Sequence, residues 1–414
     1  MKKILKISLL AITCLVVIGL IYFGSIIYTL TKINLWQNKI GETLPDTFRI
    51  ELPVIKNQDG YFCVRATVND NYEADYFMDT QAASLAKIET IKDLNANFWD
   101  NFPVATHNFY GQKEKLPLYY FDSFKIQFLS LEKPLFKGIS KSNAMYDLMD
   151  NDVIGKDILK QLYWKFSLDS SKMILFSNKD SLILKKETEN FVKIENGLIG
   201  RNNHISFSEI SMLDDFMFDL GYGGEIMVNK KIFAALSNRF SPKIFVSTRS
   251  TSVKNDTTYV FDKMNIEWGG IKIPNCQVIY RSVTNRNLIG ALLINRFNFV
   301  LAYNDKTGDN LYLQPRDNFQ NFISTPYCSD FGFDIEKSES GFIVKRIEIG
   351  GLADKAGVNV MDKIVSIDNG NFDMNNTKQL DSYLLDKNSV TIEIEKEGKT
   401  AVIEIIKKNK NSNF

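Results

Sequence analysis

The sequence predicts a mainly β protein: a duplicated two-lobe body, preceded by one apolar helix and followed by a small β module. Three observations predict it. Short alternating apolar runs such as "YFCVRATVND", "DSFKIQFLSL" and "MNIEWGGIKI" are separated by Asn, Asp, Gly and Lys, the period-2 pattern of half-buried strands. A block of sequence around Asp79 and the segment downstream of it recur around Asp219. Residues 7–28 carry no charge at all.

The apolar segment comes first in the chain. Residues 7–28 match the roughly 20 residues needed to cross a bilayer. Lys2, Lys3 and Lys6 precede it, which keeps the N-terminus cytoplasmic. No small-x-small cleavage site follows, so the expectation is an uncleaved transmembrane anchor. Everything after about residue 32 then lies outside the membrane, in a periplasm or at a cell surface. A long uncleaved signal is the alternative. Cys14 raises a lipoprotein, but Thr13 before it and the apolar run after it argue against one.

Composition narrows the function. With 44% hydrophobic residues, 24% charged and a net charge of +1, there is no basic excess to neutralise phosphates, so nucleic acid is not expected as a partner. Four cysteines and two histidines, without a CxxC pair, make a zinc site or a disulfide framework unexpected. The cysteines read as small core residues. No metal and no organic cofactor is expected.

The repeat is the most informative feature. "YFMDTQAASLAKI" around Asp79 has its counterpart in "FMFDLGYGGEIMV" around Asp219: aromatic and Met residues, then Asp, a turn of small residues and an apolar segment. An Asp driven out of an apolar strand either caps a turn or is one half of a catalytic pair. Downstream lie "VIGKDILKQLYWKFSLDSSKMILF" and "LIGALLINRFNFVLAYNDKTGDNLYL", each with Ile-Gly, a short amphipathic helix and a hairpin. Asp79 precedes Gly155 by 76 residues and Asp219 precedes Gly290 by 71.

On these residues, the chain over about residues 45–315 resembles a bilobal retropepsin-like or pepsin-like aspartic protease, with lobes at 45–185 and 200–315. The resemblance implies an endopeptidase whose catalytic Asp79 and Asp219 meet at a pseudo-twofold axis and share a proton. One would act as base on a water and the other as acid toward the peptide carbonyl. The family's Asp-Thr/Ser-Gly loop is altered twice. Asp79-Thr80-Gln81 has Gln81 where glycine supplies conformational freedom, and Asp219-Leu220-Gly221 has Leu220 where a hydroxyl is usual. Both changes leave open a catalytically degenerate peptide-binding or scaffold protein. The family's cleft-covering hairpin falls at residues 103–121, with Phe109, Tyr110 and Gly111 at its tip. The corresponding polar loop of the second lobe is at residues 246–261.

Residues 315–330 form a break, and residues 328–408 resemble a PDZ domain. Phe331-Gly332-Phe333 stands at the carboxylate-binding loop, "GGLADKAGV" and "MDKIVSIDNG" match two further signatures, and "TKQLDSYLL" has the spacing of a groove helix. The resemblance implies β-augmentation. A peptide would lie along Phe333, Asp334 and Ile335, with the loop's N–H groups capturing its terminal carboxylate. The reading is a membrane-anchored, extracytoplasmic aspartic endopeptidase with a peptide-binding tail.

Overall fold

The computed structural model describes residues 2–407, apart from 102–105, 108–112, 144–145, 147–148, 150, 248–255, 306–307, 323–326, 339–340, 375–378 and 397. The protein is mainly β with one N-terminal apolar helix. It divides into two compact units. The first comprises Met1–Ile50, Cys63–Tyr163 and Leu175–Leu184; the second comprises Glu51–Phe62, Trp164–Ile174 and Lys185–Phe414.

The first unit opens with a helix over Lys2–Lys39, longer than the 7–28 segment that the sequence marks. Leu15–Lys39 contains an 18-residue window of mean hydropathy 1.8 that is almost wholly exposed, and the helix is long and apolar enough to cross a membrane. Beyond it the chain enters a sheet built from hairpins. Phe62–Val68 pairs with Tyr72–Met78 from Cys63↔Phe77 to Val68↔Tyr72. The turn between them places Asn69 and Asp70 at φ of 48° and 63°, left-handed positions that Asn and Asp tolerate better than most residues.

The strand that leaves this hairpin is answered from far along the chain. Val153–Ile154 lies parallel to Phe77 and Met78 and antiparallel to Leu85. Leu85–Lys87 lies parallel to Lys137–Ile139 on its other side. Two successive strands are thus parted by a third that arrives much later. Leu135–Ile139 then pairs with Pro117–Tyr120, and that strand with Asn97–Asn101 at the sheet's end.

The second unit repeats this order strand for strand. Asn203–Phe207 pairs with Met212–Phe218. Leu288–Ile289 runs parallel to Met217 and Phe218 and antiparallel to Ile226–Met227. Ile226–Met227 runs parallel to Val278 and Ile279. Ile271–Arg281 pairs with Asp256–Trp268, and that strand with Lys243–Ser247. A second layer stacks Phe166 on Phe299 at 4.4 Å, with Phe62 set edge-on to both.

The C-terminal segment has its own core of Phe331, Phe333, Val344, Val358, Ile367 and Ile392, among others. Phe333–Ser338 pairs with Gly341–Glu348, and Lys363–Ile367, Ser389–Lys396 and Lys399–Ile406 follow in antiparallel order. Its sheet does not stop there. Gly341–Glu348 also pairs with Lys243–Ser247, through Phe245↔Glu348, Val246↔Ile347 and Ser247↔Arg346. The second lobe and the C-terminal segment therefore form one sheet and one unit. Residues 315–330 are correspondingly well packed where described: Phe319 is buried against Phe297 at 5.2 Å, and Tyr327 meets Phe245 at 5.0 Å. Cys63, Cys276 and Cys328 are buried free thiols.

Candidate active site

In the first unit Asp79 leaves its strand at the point where Val153–Ile154 arrives, and its N–H donates to the Ile154 carbonyl at 3.0 Å. Its carboxylate turns back on its own loop. Oδ1 accepts from the Gln81 N–H at 2.7 Å and the Ala82 N–H at 2.8 Å. Desolvation raises the Asp79 pKa, while the two N–H groups pull it down, and the desolvation prevails. Thr80 is fully buried and Gln81 partly so.

Gly155 follows Ile154 and passes so close to this loop that a Cβ there would lie 2.3 Å from the Ala83 carbonyl carbon and 2.4 Å from the Ala82 oxygen. Only glycine fits, because the obstruction is backbone. The contact is then fastened by polar groups. Lys156 N–H donates to Ala82 O at 2.9 Å, and Gly155 N–H to Ser84 Oγ at 3.0 Å. Ser84 in turn donates from Oγ and N to the buried Asp157 carboxylate, at 2.7 and 3.0 Å. Burial raises the Asp157 pKa and these hydrogen bonds oppose it.

In the second unit the same construction appears around Asp219. Its N–H donates to Ile289 O at 2.8 Å, and its Oδ1 accepts from Gly221 N–H at 2.9 Å. A Cβ on Gly290 would lie 2.2 Å from Gly224 O and 2.4 Å from Tyr222 O. Ala291 N–H donates to Tyr222 O at 2.8 Å, as Lys156 does to Ala82. Leu220 is fully buried. Neither Gln81 nor Gly221 is among the described residues with positive φ, so Gln81 meets no glycine-only conformation and its N–H serves Asp79 as that of Gly221 serves Asp219.

The fastening differs between the lobes, and sequence reasoning missed it. Glu225 and Arg296 are both fully buried and paired, with Arg296 Nη2 2.7 Å and Nε 3.1 Å from Glu225 Oε1. Glu225 Oε2 accepts from the Gln277 N–H at 2.5 Å, and its carbonyl from Gly290 N–H at 2.9 Å. Arg296 also holds the Pro274 and Asn275 carbonyls, at 2.6 and 3.1 Å. The signal was an Arg inside "LLINRFNFVL", where an unpaired cation is untenable. Gln161 takes the place of Arg296 in the first lobe, donating to the Asp157 and Gln37 carbonyls.

Other expected residues fall elsewhere. Phe109, Tyr110 and Gly111 lie outside the described residues. Phe331 and Phe333 are fully buried in the C-terminal core, and Gly332 has φ 78°. Gly332 N–H already donates to Ser329 O at 2.8 Å, which takes it out of the set available to a carboxylate. Asp334 pairs with Arg346 at 2.9 Å, and Ile335 is buried. Among the described residues Phe333–Ser338 pairs only with Gly341–Glu348, and no group of three or more His, Cys, Asp or Glu side chains is placed to hold a metal.

No family model and no curated protein matches the chain. Among solved structures, a retropepsin-like aspartic protease from Rickettsia conorii is similar over 32% of this chain and 94% of its own, at 18% identity and a TM-score of 0.23. It is a distant neighbour.

Proposed function

We propose that the chain is a membrane-anchored, extracytoplasmic aspartic endopeptidase in which Asp79 and Asp219 act as one proton-sharing pair. The observation that supports it is the repeated cradle: a carboxylate at a strand end, its Oδ1 held by its own loop's N–H groups, and an Ile-Gly segment pressed against that loop. A turn-capping Asp accounts for one such loop. It does not account for two with the same threading.

In this reading the pair holds a single proton between pH values set by the dyad as a unit. The ionised partner takes a proton from a water as that water attacks the scissile carbonyl carbon. The protonated partner gives its proton to the carbonyl oxygen, and the resulting diol collapses with protonation of the amine. The backbone N–H groups of Gln81, Ala82 and Gly221 fix the carboxylate planes. The C-terminal module is read as PDZ-like, adding an extended peptide to Phe333–Ser338. Residues 7–28 provide the anchor.

Leu220 favours a second reading, a cleft that binds peptides without cutting them, because a buried leucine cannot donate a hydroxyl hydrogen bond. Cleavage of unfolded proteins from pH 3 to 8 separates the two. Activity in the wild type that disappears in Asp79→Asn and in Asp219→Asn supports the endopeptidase. Peptide binding without cleavage supports the second reading, and equal cleavage by all three proteins removes the dyad.

A further inference from the structure

The anchor leaves part of the N-terminal helix unexplained. Residues 7–28 cover about 33 Å at 1.5 Å per residue, enough for the hydrocarbon layer. The helix nevertheless continues to Lys39. Its last turns are bonded to the first lobe. Ile33 is buried with Leu118 and Leu135, and Trp36, Trp99 and Tyr120 pack against them. The Trp36 ring lies 5.8 Å from Trp99 and 5.6 Å from Tyr120, and its Nε1 donates to Lys133 O at 2.8 Å. Ile40 and Leu44 are buried, and Ile40 O accepts from Glu132 N–H at 3.1 Å.

A continuous helix bonded in this way is a stalk without a free joint, so rise along it measures height above the bilayer. Lys32 is four residues beyond Tyr28, about 6 Å of rise. Lys32 Nζ stands 4.6 Å from the Trp99 ring. Trp99 is thereby brought into the headgroup layer, which is about 5–8 Å deep on each side. The residues gathered around Trp99 suit that layer and its outer boundary: Trp36, Trp99 and Tyr120 are each part-buried, with Lys32 over the Trp99 ring and Lys133 over the Tyr120 ring. Amphipathic rings and lysines are the residues that settle at a membrane–water interface. Phe98, next on the same strand, is 57% exposed.

We propose that the first lobe rests on the bilayer, with Trp99 and the neighbouring Asn97–Asn101 strand among the lipid headgroups and Trp36, about 12 Å of rise beyond Tyr28, at their outer boundary. Its substrates are then polypeptide segments held at the membrane surface. This rests on the anchored-endopeptidase reading.

The test uses the full chain in vesicles of phosphatidylcholine and phosphatidylglycerol. Tryptophan fluorescence is quenched with nitroxide lipids labelled either at the headgroup or at the end of the acyl chain. Trp164 and Trp268 are fully buried and supply a constant background. Headgroup nitroxide should quench wild type at least twice as strongly as acyl-end nitroxide, and Trp36→Phe/Trp99→Phe should lose most of that quenching. Equal quenching in wild type and the double variant, in a chain that floats with the vesicles after a high-salt wash, overturns the placement and leaves the anchor standing. Failure to float overturns the anchor and this inference together. A second arm inserts a flexible 20-residue Gly/Ser linker after Thr31. Soluble-peptide cleavage should stay within about twofold, while preference for a lipid-tethered peptide with a short spacer falls about tenfold. An unchanged preference overturns the substrate class, and a protein bound at the cluster instead of lipid would show protection by that protein with no headgroup quenching.

Discussion

Asp79 is subject to opposed influences, since two N–H groups stabilise its charge while burial penalises it. The raised pKa means the folded state holds a proton that the unfolded chain has already released. Asp157 shares this direction, as does Asp152, where burial again prevails over its hydrogen bonds. Stability from these groups is therefore fully present below the ordinary carboxylate range and is lost as pH rises through their raised folded values. Asp157→Asn keeps an oxygen for Ser84 and removes the charge. Its melting temperature should fall less than that of wild type between pH 4 and 7, and a steeper fall would contradict the assignment. Asp79→Asn keeps the acceptor for Gln81 and Ala82, so it should match or exceed wild type in melting temperature at pH 7 while losing roughly 10²–10⁴-fold in cleavage. A variant that melts far lower would mean that the charge itself is structural. Gln81→Gly should leave the fold intact and change cleavage little, because Gln81 occupies no glycine-only conformation.

At the scale of elements, the Ile-Gly strands are what hold each loop. Gly155→Ala and Gly290→Ala each push a methyl into backbone that cannot swing aside. Each should cost about 1–3 kcal/mol, toward the upper end, measured by urea unfolding of the full chain; a neutral effect would mean the approach is looser than drawn. Arg296→Met strands a buried Glu225 carboxylate and should cost roughly 3–5 kcal/mol, and adding Glu225→Met should recover part of it. These two cases show what a single sequence reveals. The Ile-Gly repeat was legible because close backbone approach demands one residue type at a fixed place. The Glu225–Arg296 pair was not, since a charge's partner 71 residues away leaves no local mark. The short amphipathic helix read in "VIGKDILKQLYW" is the single turn Lys156–Leu159. Ile158, Leu159, Leu162 and Trp164 are all buried, so the apolar run serves first a single helical turn and then the strand Leu162–Ser167. The strand Lys243–Ser247 gave no hint that its outer edge is taken.

That edge matters for the whole molecule. The equivalent strand of the first lobe, Asn97–Asn101, ends its sheet, whereas Lys243–Ser247 is continued by Gly341–Glu348 of the C-terminal module. Ile349 N–H donates to Ile244 O at 2.8 Å, and Phe245 sits in a shared cluster with Val260, Ile279 and Cys328. Arg346 joins the pieces. It is ion-paired to Asp334 on Phe333–Ser338, lies 4.0 Å over the Tyr327 ring, and donates to the Tyr327 carbonyl. A chain ending at Asn321 would lose the partner strand, Tyr327 and Cys328 together. It would leave Phe245 uncovered beside a row of open backbone groups, a template for association. We expect the truncated chain to unfold at lower temperature, to associate as its concentration rises, and to lose amide-exchange protection at Ile244 and Val246 first, the residues whose backbone groups face the lost strand. The module, with a core of its own, should keep its protection when expressed as residues 327–408. Adding Phe245→Ser to the truncated chain should suppress association by removing the apolar part of the exposed edge. Unchanged melting temperature and unchanged protection at residues 244–247 after truncation would show that the shared strand pairing contributes nothing to the second lobe. The module would then be an appended domain and not part of the wall that holds the Asp219 sheet.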